Sequence, residues 1–248
     1  MTEIYKTRSI VLRSFNFYQA DKILTLYTED LGKVAVLVKG AANICNRFGM
    51  CMQIFSEGFF HLCFNREKKG LARLITGRTI NSHYGLTKNL AGLTLACWIA
   101  EFTNKLTPEL QVSLDKYGLL QSCIELIEKN PAPILRIAYG LKFLNFAGYG
   151  LNFRTCAQCG EQQLEAGGIV DNRIVCPRCL EKYRGVRFFS PGAWKLLREL
   201  TEENLETIVS FNPQTEDIKT IDAWFTNYIT FYLPSPMKSE EFVEKVGV

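Results

Sequence analysis

The chain has 248 residues, 47% hydrophobic and 22% charged, with a formal net charge of +4. These proportions fit a folded chain with a real core and exclude a mainly disordered or collagen-like one. The charge is uneven: residues 1–80 hold a balance of +6 and residues 191–248 one of −5, so a polyanion would meet the front of the chain, with chance bias on a solvated surface as the competing reading.

The start, MTEIYKTRSIVLR, lacks the apolar run of a secretory leader. Leu90 to Ala100, the most apolar stretch, is about half of the roughly 20 residues that a bilayer span needs. A cytoplasmic protein without membrane contact is expected.

Strands come first. Ile10 to Leu12 continues an extended start. Ile23 to Thr28 and Lys33 to Val38 alternate around the Gly-bearing turn Glu29-Asp30-Leu31-Gly32, the signature of a hairpin. Gly58 to Phe64 is a further strand, and Leu71 to Ile80 returns after a charged turn. Five strands in some 80 residues fit a small barrel of the OB type, with an SH3-like barrel as the competitor.

The texture then turns helical. Leu86 to Leu106 is apolar on nearly every face and predicts a buried helix. Tyr117 to Glu128 has helical spacing. Asn130-Pro131 is placed to cap and start a helix that stops at Gly148. Ser190-Pro191 predicts an N-cap and first-turn proline. Thr201 and Thr215 are candidate N-caps of two more helices.

Between these helices lies CAQCGEQQLEAGGIVDNRIVCPRC. Its two Cys-x-x-Cys knuckles, Cys156/Cys159 and Cys176/Cys179, stand 16 residues apart, within the spacing of zinc ribbons. Gly167 and Gly168 suit a hairpin that brings the knuckles together. One zinc ion held by four thiolates is the favoured reading, with a redox pair or disulfides as the alternative. Four sulfurs leave no open coordination position, so such a zinc is structural, not hydrolytic. The remaining cysteines (45, 51, 63, 97 and 123) are scattered among apolar residues and read as small core hydrophobes.

No catalytic constellation is evident. The two histidines, His61 and His83, have no partner at ligand spacing, and neither a phosphate-binding glycine loop nor a nucleophile elbow occurs. A non-catalytic binding protein is expected. Residues 1–80 interleave cations with rings, the pattern of a groove that tracks phosphates and stacks bases. The candidate nucleic-acid-binding residues are Arg13, Lys22, Lys33, Lys39, Arg47, Arg66, Lys68 and Lys69. The rings are Tyr5, Phe15, Phe17, Tyr18, Tyr27, Phe48, Phe55, Phe59, Phe60 and Phe64, and each has a competing role in the core.

ADKILTLYTEDLGKVAVLVKGA (Ala20 to Ala41), Arg47-Phe48-Gly49, Gln53-Ile54-Phe55, LKFLNFAGY (Leu141 to Tyr149), FSPGAWKLL (Phe189 to Leu197) and PMKSEEF (Pro236 to Phe242) together resemble the bacterial recombination mediator family RecO. The resemblance runs in register along nearly the whole chain. It implies an α+β fold: an N-terminal OB-fold β-barrel over residues 1–80, then an all-helical domain over 81–248, interrupted by a zinc ribbon at about residues 153–187. It implies a DNA repair and recombination mediator that binds single- and double-stranded DNA and anneals complementary strands. The implied partners are RecR and the acidic C-terminal tail of single-stranded DNA-binding protein, and the implied outcome is loading of RecA onto gaps. Lys142 matches a basic position of the family's pre-zinc helix, where an acidic peptide could dock; a solvated helix residue is the competing reading. One departure is the loop after Lys39, which reads Ala41-Ala42-Asn43-Ile44-Cys45-Asn46 where the family often has Lys and Arg. An RNA-binding factor and a protein-bridging adaptor are the alternatives.

Overall fold

Apolar residues at every second position draw the first third of the chain into strands. In the computed structural model, residues 2–41, 48–65, 67, 70–183 and 187–246 are described. The elements run β1 (Thr2–Phe17), β2 (Asp21–Thr28), β3 (Gly32–Val38), β4 (Glu57–Asn65) and β5 (Ala72–Asn81), then α1 (Leu90–Leu106), α2 (Leu114–Lys129) and α3 (Ile134–Phe146). There follow β6 (Gly168–Val170), β7 (Arg173–Val175), α4 (Pro177–Leu180), β8 (Arg187–Phe188), α5 (Pro191–Glu202), α6 (Leu205–Val209), α7 (Thr215–Thr230) and α8 (Glu240–Val246). Among the described residues no helix is long and apolar enough to cross a membrane.

Two units form, one from Met1–Pro131 with Met237–Val248, the other from Ala132–Pro236. In the first, the strand order is β1-β2-β3-β5-β4, with β4 returning to β1. Val11, Leu24, Leu26, Val36, Phe60 and Leu62 face one another in its interior. The β2–β3 turn depends on Gly32, whose φ is +70° and whose absent Cβ would lie 2.2 Å from the Gln111 carbonyl oxygen. No other residue fits both conditions.

The expected fold class requires correction. The strands do close in the order β1-β2-β3-β5-β4 and back to β1, but a self-contained OB-type barrel followed by an all-helical remainder does not describe this chain. The four antiparallel ladders do nearly all the pairing, while β3 meets β5 only at Val36↔Ala72 and Leu37↔Arg73, a two-pair parallel seam. Helices α1, α2 and α8 belong to the same unit as the strands. The physical reason is core size: so short a sheet buries too little apolar surface alone. Helical cover supplies the rest. Tyr27 lies 6.2 Å from the ring of Tyr117 in α2, and the Leu110 amide donates to the Lys33 carbonyl at 3.0 Å.

The second unit is helical around a small ribbon. Strands β6, β7 and β8 form a sheet in the order β7-β6-β8. The β6–β7 hairpin turns through Asp171 and Asn172, both at positive φ, a conformation these two residue types tolerate. Ser190 caps α5 as expected, accepting from the Ala193 amide at 2.9 Å. The other expected caps shift. α3 starts at Ile134 rather than at Pro131, and Thr201 lies inside α5 while Asn204 caps α6. Thr215 is the first residue of α7, whose N-cap position is Gln214. Thr201 escapes the cap role because its hydroxyl bonds back to the Arg198 carbonyl at 2.8 Å, a choice open to a threonine in either setting.

Candidate metal centre and nucleic-acid interface

The two knuckles converge. The ligand sulfurs of Cys156, Cys159, Cys176 and Cys179 all lie within 4.8 Å of one another, with Cys159 Sγ 3.7 Å from Cys176 Sγ. A zinc ion about 2.3 Å from each of four sulfurs would hold them roughly 3.8 Å apart. The donor set therefore fits a tetrahedral thiolate-bound metal. Main-chain groups build the cradle: the Cys176 amide donates to Cys156 Sγ at 3.3 Å, and the Ala157 amide donates to the Ile174 carbonyl at 2.7 Å. Burial opposes ionisation of Cys156, but the amides of Cys176, Cys159 and Gln158 outweigh it and hold that thiol at about 6. Burial and the neighbouring sulfurs push Cys179 up to about 12. A bound cation would favour the thiolate form of all four donors.

The ribbon is seated on α5 of its own unit. The Trp194 indole donates to the Leu164 carbonyl at 3.1 Å and meets the Phe153 ring edge-on at 5.6 Å. Gly167 permits this approach, since a Cβ there would lie 2.8 Å from the Trp194 ring. The scattered cysteines that are described, Cys51, Cys63, Cys97 and Cys123, are buried or partly buried, and burial pushes the Cys51 thiol up to about 11. A thiol raised in this way is a poor nucleophile near neutral pH. Cys45 lies outside the described residues.

The candidate cations of the strand unit divide. Arg13 projects from the outward face of β1, opposite Thr25, with its guanidinium over the Phe15 ring at 5.6 Å. Lys22 pairs with Asn16 on one side and Val38 on the other, and Lys39 is exposed just past the end of β3. Lys33 is half-buried, and its ammonium donates to the Asn104 carbonyl at 2.6 Å. Burial lowers its pKa against the opposing charge of Glu109. Arg47, Arg66, Lys68 and Lys69 lie outside the described residues. The rings divide as well. Tyr27, Phe48, Phe55, Phe60 and Phe64 are buried, whereas Phe15, Tyr18 and Phe59 are 42%, 84% and 41% exposed. Lys142, in α3, is half-buried and donates to the Thr201 carbonyl at 2.9 Å, closing the last turn of α5. Burial lowers its pKa against the charges of Glu203 and Glu202.

Sequence reasoning missed Lys105 and Lys238. With Arg13 and Glu101 they line a cleft of about 430 Å³ in the first unit. Their spacing of 133 residues hides this from any local pattern.

Taken together, the features define a class: a strand unit bearing outward cations and rings, continued by a helical unit with a four-cysteine cluster whose geometry fits a metal. Two family models match the chain in order, the N-terminal part of recombination protein O over residues 1–83 and its C-terminal part over residues 87–241. A protein of Symbiobacterium thermophilum named DNA repair protein RecO is 28% identical over 97% of both chains. Proteins of the same name from Listeria monocytogenes and Desulforamulus reducens are 28% and 27% identical, over 97% and 98% of this chain and 94% and 95% of theirs. The chain belongs to the RecO family of recombination proteins.

Proposed function

We propose that this protein is a DNA repair and recombination mediator that binds single- and double-stranded DNA and anneals complementary strands without catalysing a covalent step. The observation that carries the proposal is the ordered match of both family models across the chain. The chemistry is electrostatic. Two strands repel through their phosphates, and a surface that neutralises phosphates lowers that barrier and releases counterions. Arg13, Lys22 and Lys39 are the described cations proposed to meet the backbone, with Arg47, Arg66, Lys68 and Lys69 beside them in sequence. Lys33 is proposed to contribute through the scaffold, since its ammonium serves the Asn104 carbonyl.

The four thiolates are proposed to hold one structural zinc, whose binding free energy becomes folding free energy of the helical unit. RecR and the acidic tail of single-stranded DNA-binding protein are the proposed protein partners, acting with this chain to load RecA. A tail docking at Lys142 would have to displace the Thr201 carbonyl from its ammonium.

The test is annealing of complementary oligonucleotides without nucleotide triphosphate, measured with binding across salt. Annealing that accelerates with protein, and binding that falls linearly on a log–log salt plot, are expected. Equal or stronger binding to RNA of the same sequence would favour an RNA factor. Absence of any oligonucleotide binding at low salt would favour an adaptor.

A further inference from the structure

The cleft of about 430 Å³ in the first unit combines three cations with apolar walls. Arg13 comes from β1, Lys105 from the last turn of α1, and Lys238 from the segment leading into α8. Leu12 and Ile54 supply apolar surface beside them. Among the described lining residues the one carboxylate is Glu101: it accepts from the amides of Lys238 and Ser239 at 3.0 and 2.8 Å and stands 3.7 Å from Lys105 Nζ. Burial disfavours its charge, but those amides and Lys105 hold its pKa below the usual carboxylate range. The cleft therefore presents a surplus of positive charge above an apolar wall.

Arg13 links this cleft to a ring. Residues 13 and 15 share the outward face of β1, about 6.8 Å apart along the strand, and the Arg13 guanidinium lies over the Phe15 ring. Phe15 is 42% exposed. A phosphate beside cations and a planar group beside an aromatic face are the two halves of a nucleotide. Stacking on Phe15 requires a base outside a duplex, because paired bases already have both faces covered.

We propose that this cleft is a single-strand subsite: Arg13, Lys105 and Lys238 hold one backbone phosphate and Phe15 stacks an adjoining unpaired base. This rests on the DNA-binding reading and deepens it, assigning strand selectivity to one place in the first unit.

The test uses the full chain and three variants, Phe15→Ala, Lys105→Gln and Lys238→Gln, with Lys195→Gln on the helical unit as control. Lys195 is 68% exposed in its side chain. Affinities for a single-stranded oligonucleotide, its duplex and a poly-glutamate peptide are measured across salt, and thermal melting checks folding. F15A is expected to weaken single-strand binding about tenfold and leave duplex binding unchanged. K105Q and K238Q are each expected to lower single-strand affinity several-fold and reduce the salt slope by about one. The exposed positions Phe15 and Lys238 keep the test available should Lys105→Gln fail to fold. Wild-type binding with unchanged variants overturns the subsite and leaves the DNA-binding reading standing. Equal loss on single strand and duplex in F15A, or loss confined to poly-glutamate, also overturns it. A wild-type chain that binds no oligonucleotide at low salt overturns both.

Discussion

Lys33 Nζ donates to the main-chain oxygen of Asn104 at 2.6 Å, so a strand cation serves as the tie between β3 and the C-terminal turn of α1. The carbonyl of an α-helix's last turn has no partner within the helix, and the ammonium supplies one. Replacing Lys33 with Met should therefore cost about 1–2 kcal/mol of stability by urea denaturation. The salt slope of oligonucleotide binding should stay at the wild-type value. A slope lowered by one, with unchanged stability, would return Lys33 to the DNA-contacting set.

Glu101 makes the seating of the C-terminal segment depend on acid. Burial raises its pKa, but the Lys238 and Ser239 amides and Lys105 outweigh that, so its folded value lies below its unfolded one. A depressed carboxylate contributes stability that is complete above the unfolded value, near 4.3, and is lost as pH falls through the folded value. The protection of residues 237–246 against hydrogen exchange, taken relative to the intrinsic rate at each pH, should fall in that acid window. In Glu101→Gln protection should be low already at neutral pH, with little further change on acidification.

Buried charge holds β1 to β4. Glu57 is 1% exposed, its carboxylate lies 2.5 Å from Arg8 Nε, and the Tyr117 hydroxyl is 3.5 Å away. Glu57→Ala removes the carboxylate that the Arg8 guanidinium meets across the two strands. Because Arg8 is itself about one-third exposed, the loss should fall near the low end for such pairs, about 2–3 kcal/mol. Chemical denaturation of the full chain measures it, and a loss below half a kcal/mol would show that water already screens the pair.

Gly140 sets two effects against each other. Glycine inside a helix ordinarily costs about 1 kcal/mol relative to alanine. A Cβ at Gly140 would, however, lie 2.2 Å from the Phe225 ring, whose side chain is fully buried and also stacks on Arg136. Overpacking of this kind costs about 1–3 kcal/mol, so Gly140→Ala should destabilise. A raised melting temperature would mean that Phe225 can rotate away.

Metal removal should act on the ribbon and the helix beneath it. Cys176→Ser deletes one donor and disturbs the site whose amide holds Cys156. The wild-type chain is expected to bind one zinc and the variant less, and the melting transition of the helical unit should drop by several degrees. Hydrogen exchange should rise around Leu164 and Trp194, which share a bond across the ribbon's base, while the strand unit keeps its protection. Full zinc content in the variant would require another fourth ligand.

The sequence alone located the four-cysteine cluster, because a Cys-x-x-Cys knuckle is a local object: two sulfurs from one turn converge whatever surrounds them. The same holds for the β2–β3 hairpin around Gly32 and for the Ser190 cap, each written within a few residues. Tertiary structure decided which strand cations face outward, which rings serve the core, and that Lys105 and Lys238 join Arg13 in one cleft. It also decided that α1, α2 and α8 complete the strand unit. Those outcomes depend on contacts between residues far apart in the chain, where burial competes with exposure for each side chain. Alternation along a strand names two faces but does not say which of them another element will cover.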